Sequence, residues 1–352
     1  MAILRRAYQL NPTGERAFRF GREGLEQESS AENFSSDSLF SAIVSTAYKT
    51  LTKSELQHWF GELPNSPIIT PSSVFPCLGG IPLFPKPALR FNLSDALQEG
   101  VAKSLKKLQY VSAAVLSDIL QQRDLSHHWN ADHKLTIKAG NGKALLSDRE
   151  YQQLPDELKK DDAQWWQVGS VSRVSLDRRT SQSNIYQVGR VVFQEGCGLW
   201  FMLDLEESFV PPFERILAII GDEGIGGERS SGWGGFTWEA LDLPTIDTPT
   251  APNALYLLSR YHPTPAEIAA GVLEEPASYE LVDIGGRLTS VGQASKERAR
   301  VRMLEAGSVV NIAGGLPQGD IVDVRPEHFP HPIWRAGCVM GYSTLVKQAV
   351  SV

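Results

Sequence analysis

Seven glycines fall within the fifteen residues of GDEGIGGERSSGWGG: Gly221, Gly224, Gly226, Gly227, Gly232, Gly234 and Gly235. Glycine lets a backbone approach a ligand closely and leaves amides able to face an anion. Among them, Arg229 suits a phosphate, Ser230 and Ser231 can donate hydrogen bonds, and Trp233 can stack on a base. Two standard phosphate loops fail here. Gly227 and Gly232 have the spacing of a P-loop, but Trp233 stands where its lysine belongs. Gly224 and Gly226 open a dinucleotide fingerprint, but Arg229 replaces its third glycine. A chain that merely turns needs one or two glycines rather than seven.

A second cluster is SRVSLDRRTSQSNIYQVGR. Arg173, Arg178, Arg179 and Arg190 sit there with a single acid, Asp177, in an otherwise acidic chain. On a β ribbon, alternate residues share a face and can grip a nucleic-acid backbone, with Ile185 and Tyr186 available to touch bases. A solvated hairpin explains the same composition. The third cluster, Lys296, Arg298, Arg300 and Arg302, has spacing two. These side chains share a face on a strand and scatter on a helix. A charged edge strand that resists mispairing fits equally.

Catalytic patterns are sparse. His127 and His128 lie in a polar stretch, and His262, His328 and His331 sit beside or near prolines. HExxH and GxSxG do not occur. Asp222 and Glu223 alone make a weak metal site, and no cofactor is expected.

The elements that must position these residues are legible in part. Ile3 to Leu10 predicts a strand. SSDSLFSAIVSTAYKTL predicts a helix, because Leu39, Ile43, Ala47 and Leu51 recur every fourth residue. Ser36 or Asp37 is expected to cap its start. Residues 61–92 are rich in proline, which cannot donate to a sheet ladder, so an irregular surface path is expected. Helical patterns return over residues 93–108 and 113–122, and residues 126–160 read as a loop or insertion. Trp165 to Leu176, Asn184 to Phe193 and Gly198 to Leu205 alternate like strands. A helix follows from Pro211 to Ile220, and FTWEALDL reads as a strand. The order from the N-terminus is β, α, β, β, α, β, which is the ferredoxin-like order with a long insertion at about 51–160. Leu243 to Asn253 is the best linker. It divides a first domain, 1–243, from a smaller one, 254–352.

Composition narrows the class. The chain has 352 residues, a net charge of −7 and 42% hydrophobic residues. That is ordinary globular composition, and the acidity disfavours a non-specific nucleic-acid coat while leaving room for a local basic groove. Cys77, Cys197 and Cys338 form no CxxC pair, which argues for a reduced, cytoplasmic protein. No apolar run is long enough to span a membrane.

Several segments, in order, resemble the crRNA 5′-end-binding RAMP subunit of type III-A CRISPR effectors, the fourth Csm subunit. SDSLFSAI (residues 36–43) is similar to that family's first-helix motif and SSVFPCLGGIPLFPKP (72–87) to its proline-rich segment. KKLQYVS (106–112) follows, and SRVSLDRRT with IYQV resembles its thumb hairpin. GDEGIGGERSSGWGGF (221–236) is close to its glycine-rich loop. LLSRYHPT, EAGSVV and HPIWRAG match C-terminal landmarks. The chain departs from the family at Val174, where asparagine is frequent, and at Gly235, where arginine is common.

The resemblance implies an α+β protein of two ferredoxin-like (RRM/RAMP) domains, with a thumb at about 173–186 and a glycine-rich loop at 221–235. It implies a non-catalytic RNA-binding subunit that caps and holds the repeat-derived 5′ tag of crRNA in antiviral defence. The expected partners are that tag, the large polymerase-nuclease subunit and the backbone RAMP subunits. Carried over by position, the tag site comprises Ser36 and Asp37; Arg173, Arg178, Arg179, Ile185 and Tyr186; and Gly224, Gly226, Gly227, Arg229, Ser230, Ser231, Gly232 and Trp233. The competing readings are a RAMP-fold, metal-independent endoribonuclease acting on precursor crRNA, and the equivalent subunit of another type III complex. The first requires a histidine or substitute base near the scissile phosphate.

Overall fold

The fold is that of a computed structural model, which describes residues 2–21, 29–98, 100–130, 132–137, 142–160, 163–176, 183–288 and 296–347. The apolar run GLWFMLDL lies in the strand Cys197–Glu206, and its residues 197–203 are all buried. A strand buried on both faces needs a layer on each side. The first strand, Ile3–Pro12, pairs antiparallel with it, so that Arg5 lies opposite Asp204. Those two side chains close a two-pronged ion pair at 2.7 Å. The strand Phe236–Leu241 flanks the first strand on its other side. On the far side of Cys197–Glu206 lie Ile69–Pro71 and Phe75–Leu78, also antiparallel.

That last pairing corrects the expected path. The second strand of the sheet comes from within the proline-rich segment, where Phe75, Pro76, Cys77 and Leu78 are all buried, while residues 61–66 follow the turning, partly exposed path expected. Proline is tolerated because these strands are only 3 and 4 residues long and lie toward the sheet's edge. The insertion therefore follows this strand rather than the first helix. The two alternating segments expected inside the main sheet form a separate ribbon. Trp166–Leu176 pairs with Ser183–Phe193, and the ribbon is anchored through Ala17–Phe18.

The first helix, Ser36–Thr50, and a second, Val210–Glu223, pack together beside the sheet. Leu39, Ile43 and Ala47 are buried, as their spacing predicts. Proline occupies the first turn of the second helix, where its missing N–H costs no bond. Tyr8 stacks on Phe201 and meets Phe213 of that helix at 5.4 Å. Successive strand residues point to opposite faces, so Trp200 faces the other layer. There its indole donates to Leu83 O at 2.8 Å and its ring meets Phe84. The interpolated segment thus supplies the second layer, through short elements such as the helix Ala113–Leu120.

After residue 253 the chain forms a three-stranded sheet, with Ala254–Leu257 between Val309–Asn311 and Gly341–Thr344. Tyr256, Val309 and Met340 join the same apolar cluster as Trp200 and Phe84. The cationic run does not form one strand face. Lys296 is in a short strand, Arg302 lies in Val301–Leu304 and pairs with Asp283 at 3.0 Å, and residues 298–300 between them are not in a strand. Cys77 and Cys197 are buried and Cys338 is half-buried, and burial pushes each thiol up to about 12.

Candidate nucleic-acid interface

A groove of about 420 Å³ runs between the first helix and the glycine-rich loop. The helix wall is the face opposite Leu39 and Ile43, where Ser38, Ser41, Ala42, Ser45, Thr46 and Lys49 recur at spacings of three and four. Small side chains on that face let another backbone come close. The opposite wall carries Gly224, Ile225, Gly226, Gly227 and Arg229, and Arg19 also lines it. At one end the lining passes to Arg260, Arg298, Glu305 and Arg335 of the C-terminal part. Among the described residues, six cations line the groove against two acids, Glu223 and Glu305, in a chain of net charge −7.

The glycines are chiefly steric. A Cβ on Gly226 would collide with Arg19 O, and one on Gly234 with Ile225 O. Several of the amides expected to face an anion are already engaged. Gly224 donates to Ile220 O at 2.8 Å, Gly227 to Arg19 O at 2.8 Å and Gly234 to Ala17 O at 2.9 Å. The loop acts as a strut locking the end of the second helix to residues 17–19. What it offers a ligand is its tip, where Arg229, Ser230, Ser231 and Gly232 are exposed. Glu223 lies between Lys49, at 3.1 Å, and Arg229, at 4.0 Å.

Trp233 is not presented for base stacking. It is only 2% exposed and packs with Ala17 and Val188 under the ribbon. Its indole N–H donates to Glu15 at 3.1 Å, and the Arg173 guanidinium lies over its ring at 5.0 Å. Arg190 approaches the same ring at 5.7 Å. Arg173 thus stacks on Trp233, with its Nε buried and without a hydrogen-bond partner among the described residues.

Ile185 and Tyr186, as neighbours on a strand, point to opposite faces. Ile185 is 68% exposed opposite Val174, itself 58% exposed, and Tyr186 lies opposite Arg173. Arg178 and Arg179 lie outside the described residues.

Ser36 and Asp37 do not cap the helix. Ser35 occupies the cap position and makes no side-chain cap bond. Ser36 N donates to Ser73 Oγ at 3.0 Å, and Ser36 Oγ accepts from Arg260 N at 2.9 Å. Asp37 is fully buried, bonded to Arg260 Nη1 at 3.1 Å and to Arg335 Nη1. Burial opposes its charge most strongly, yet the pull of the two guanidiniums holds its carboxyl below the ordinary aspartate range. Arg260 also pairs with Glu305 at 2.8 Å. These residues fasten the C-terminal part to the start of the first helix behind the groove.

Arg19, Lys49 and the serine face of the helix carry no local motif, and Arg260 and Arg335 lie in the landmarks LLSRYHPT and HPIWRAG without having been singled out as site residues. The one sequence signal was the amphipathic contrast of Ser38, Ser41 and Ser45 with Leu39 and Ile43. Among the described residues, no histidine lines the groove. His127 is exposed on the turn Ser126–His128, whereas His128 is buried and pushed down to about 4 by burial and by His127.

Comparison with known proteins follows this geometry. The family model of the CRISPR Csm4 C-terminal domain matches residues 250–343. The CRISPR system Cms protein Csm4 of Methanocaldococcus jannaschii is 25% identical over 345 residues, covering 91% of this chain and 88% of that protein. The Csm4 protein of Mycobacterium tuberculosis is 29% identical over 311 residues, covering 87% of each. Among solved structures, the Csm3–Csm4 subcomplex of the type III-A CRISPR-Cas interference complex holds a chain of the same fold. It has a TM-score of 0.64 at 20% identity, covering 96% of this chain and 99% of that one. The Csm1–Csm4 cassette in complex with cA4 matches at 0.56 and 18% identity, covering 99% of this chain and 100% of that one. Residues 250–343 thus match the Csm4 C-terminal domain, and along most of its length the chain is similar to Csm4 proteins of CRISPR systems and shares their fold.

Proposed function

We infer that the groove holds single-stranded RNA, the repeat-derived 5′ tag of crRNA, and that the chain is a non-catalytic subunit. The carrying observation is the concentration of six cations and an open serine face along one groove of an acidic protein. Phosphates recruit cations, and exposed strands are gripped through backbone and 2′-hydroxyl groups, which small polar side chains can reach. The exposed pair Val174 and Ile185 on the ribbon gives unstacked bases an apolar surface.

The partners we assign are the large polymerase-nuclease subunit and the backbone subunits. Relatives have been solved as Csm1–Csm4 and Csm3–Csm4 assemblies, which supports both. The six-stranded sheet, with Phe236–Leu241 beside Ile3–Pro12, is read as one ferredoxin-like unit, the ribbon as its thumb, and residues 254–352 as a second, smaller ferredoxin-like domain. The chain works in the cytoplasm. No helix among the described residues is long and apolar enough to cross a membrane.

The test is to tag the chain in its native host, purify it gently and sequence the RNA it retains. Short RNAs sharing one 5′ segment are expected. Protein free of RNA would return the groove to a small-molecule phosphate site. The endoribonuclease alternative predicts that the purified chain cuts a repeat hairpin and that H127A or H128A stops it. An uncut hairpin is expected.

A further inference from the structure

The charges at the C-terminal end of the groove do not balance. Asp37 is shared by Arg260 and Arg335, and Glu305 pairs with Arg260. Among the described residues, two acids thus meet three arginines, leaving one positive charge uncompensated. The unspent side chain is Arg298, which lines the groove. Among the described residues its guanidinium forms neither a hydrogen bond nor an ion pair, and its Nε is buried without an acceptor. Burial first, and then the charge of Arg335, work against its protonation, while Asp37 favours it. A buried charged donor without an acceptor is expensive, so such groups normally find one.

The backbone around Arg298 is fixed. Arg298 N donates to Gly286 O at 2.9 Å and Ala299 N to Val324 O at 3.0 Å. The neighbouring Arg335 is also tied back, donating through Nη2 to Gly285 O at 3.1 Å. The guanidinium is therefore carried by pinned backbone rather than by a loose surface arm. A residue serving only the fold would be satisfied by a carboxylate or carbonyl, as Arg260 and Arg335 are.

We propose that Arg298 is a phosphate subsite, taking one phosphodiester of the RNA strand at the C-terminal end of the groove. One uncompensated positive charge matches the single negative charge of a phosphodiester, and an arginine fork suits its oxygens. This subsite rests on the reading of the groove as an RNA site. It makes that site bipartite, with the loop tip at Arg229 holding one stretch of the strand and the C-terminal part holding another.

The test uses the full chain within its purified complex, with R298A and R298K beside the wild type. The probe is a labelled synthetic copy of the 5′ segment that the wild-type complex retains. In R298A the slope of log affinity against log salt should fall by about 0.7, the share of one phosphate on a single strand. One methylphosphonate linkage should weaken the wild type while leaving R298A unaffected, and R298K should retain part of the slope. Unchanged melting temperatures will show that the variants fold.

An R298A slope and linkage profile equal to wild type would overturn the subsite while leaving the RNA reading intact. A wild-type complex that retains no RNA would overturn both. Tight calorimetric binding of inorganic phosphate or adenosine monophosphate, lost in R298A, would assign the site to a free phosphate and overturn the chain phosphodiester.

Discussion

Asp37 is fully buried and held by two arginines that reach it from more than two hundred residues along the chain. Replacing it with alanine would strand Arg260 and Arg335, at a cost of about 3–5 kcal/mol for breaking a buried pair. Urea unfolding of D37A measures this. Because its folded pKa is depressed, the stability it contributes is complete above the ordinary aspartate value of ~3.9 and is lost as pH falls through the lower folded value. A chain whose unfolding free energy stayed flat from pH 5 to pH 2 would contradict this. The glycines sort by the same logic. Gly234→Ala meets both a left-handed backbone and Ile225 O, and should cost about 2–4 kcal/mol. Gly232 has the same left-handed backbone but open space around it, so its alanine variant should cost only about 1 kcal/mol. Sequence made the density of glycine visible, but not which glycine faces a neighbour and which faces solvent. The roles of Arg260 and Arg335 were equally hidden, because only the closed fold brings them to one carboxylate, whereas Arg298 was visible only as one member of a cationic run at spacing two.

The ribbon and the loop beneath it are coupled elements. Trp233 is their shared core, so Trp233→Ala should cost about 3–5 kcal/mol, and the ribbon should become an early site of proteolysis. Trp233→Phe keeps the ring but loses the bond to Glu15, for about 1 kcal/mol. Strong loss of RNA from W233F at unchanged stability would instead mean that the indole stacks on a base. Val174→Ser with Ile185→Ser touches only exposed positions, so the melting temperature should hold while bound RNA falls. The first helix and the Val210–Glu223 helix were legible because apolar spacing and proline placement are local signals. Phe75–Leu78 was not, because Pro76 and the prolines around it speak against a strand until its short length and place in the sheet are known.

At the scale of the whole molecule, the stretch after the linker at residues 243–253 has small apolar clusters of its own, around Tyr261 and Met303, but also shares the main core of the first stretch. Tyr256 donates to Pro85 O at 2.6 Å, and Tyr342 OH reaches the Met202 sulfur at 3.7 Å. Truncation after Leu243 should therefore yield an insoluble fragment, because it exposes this apolar surface and leaves Asp37 buried with neither arginine. A soluble, cooperatively melting 1–243 fragment would show the halves to be independent.

The three thiols are pushed up to about 12 by burial, so each is almost wholly protonated near neutrality. Alkylating reagents should reach the buried Cys77 and Cys197 only on opening, so the rate at which these two take label becomes a clock for global opening, while half-buried Cys338 reacts slowly because so little of its thiol is ionised. A cysteine placed at exposed Ser230 would then be the chain's single fast-reacting position, so a dye could report on the groove without first stripping out the native sulfurs.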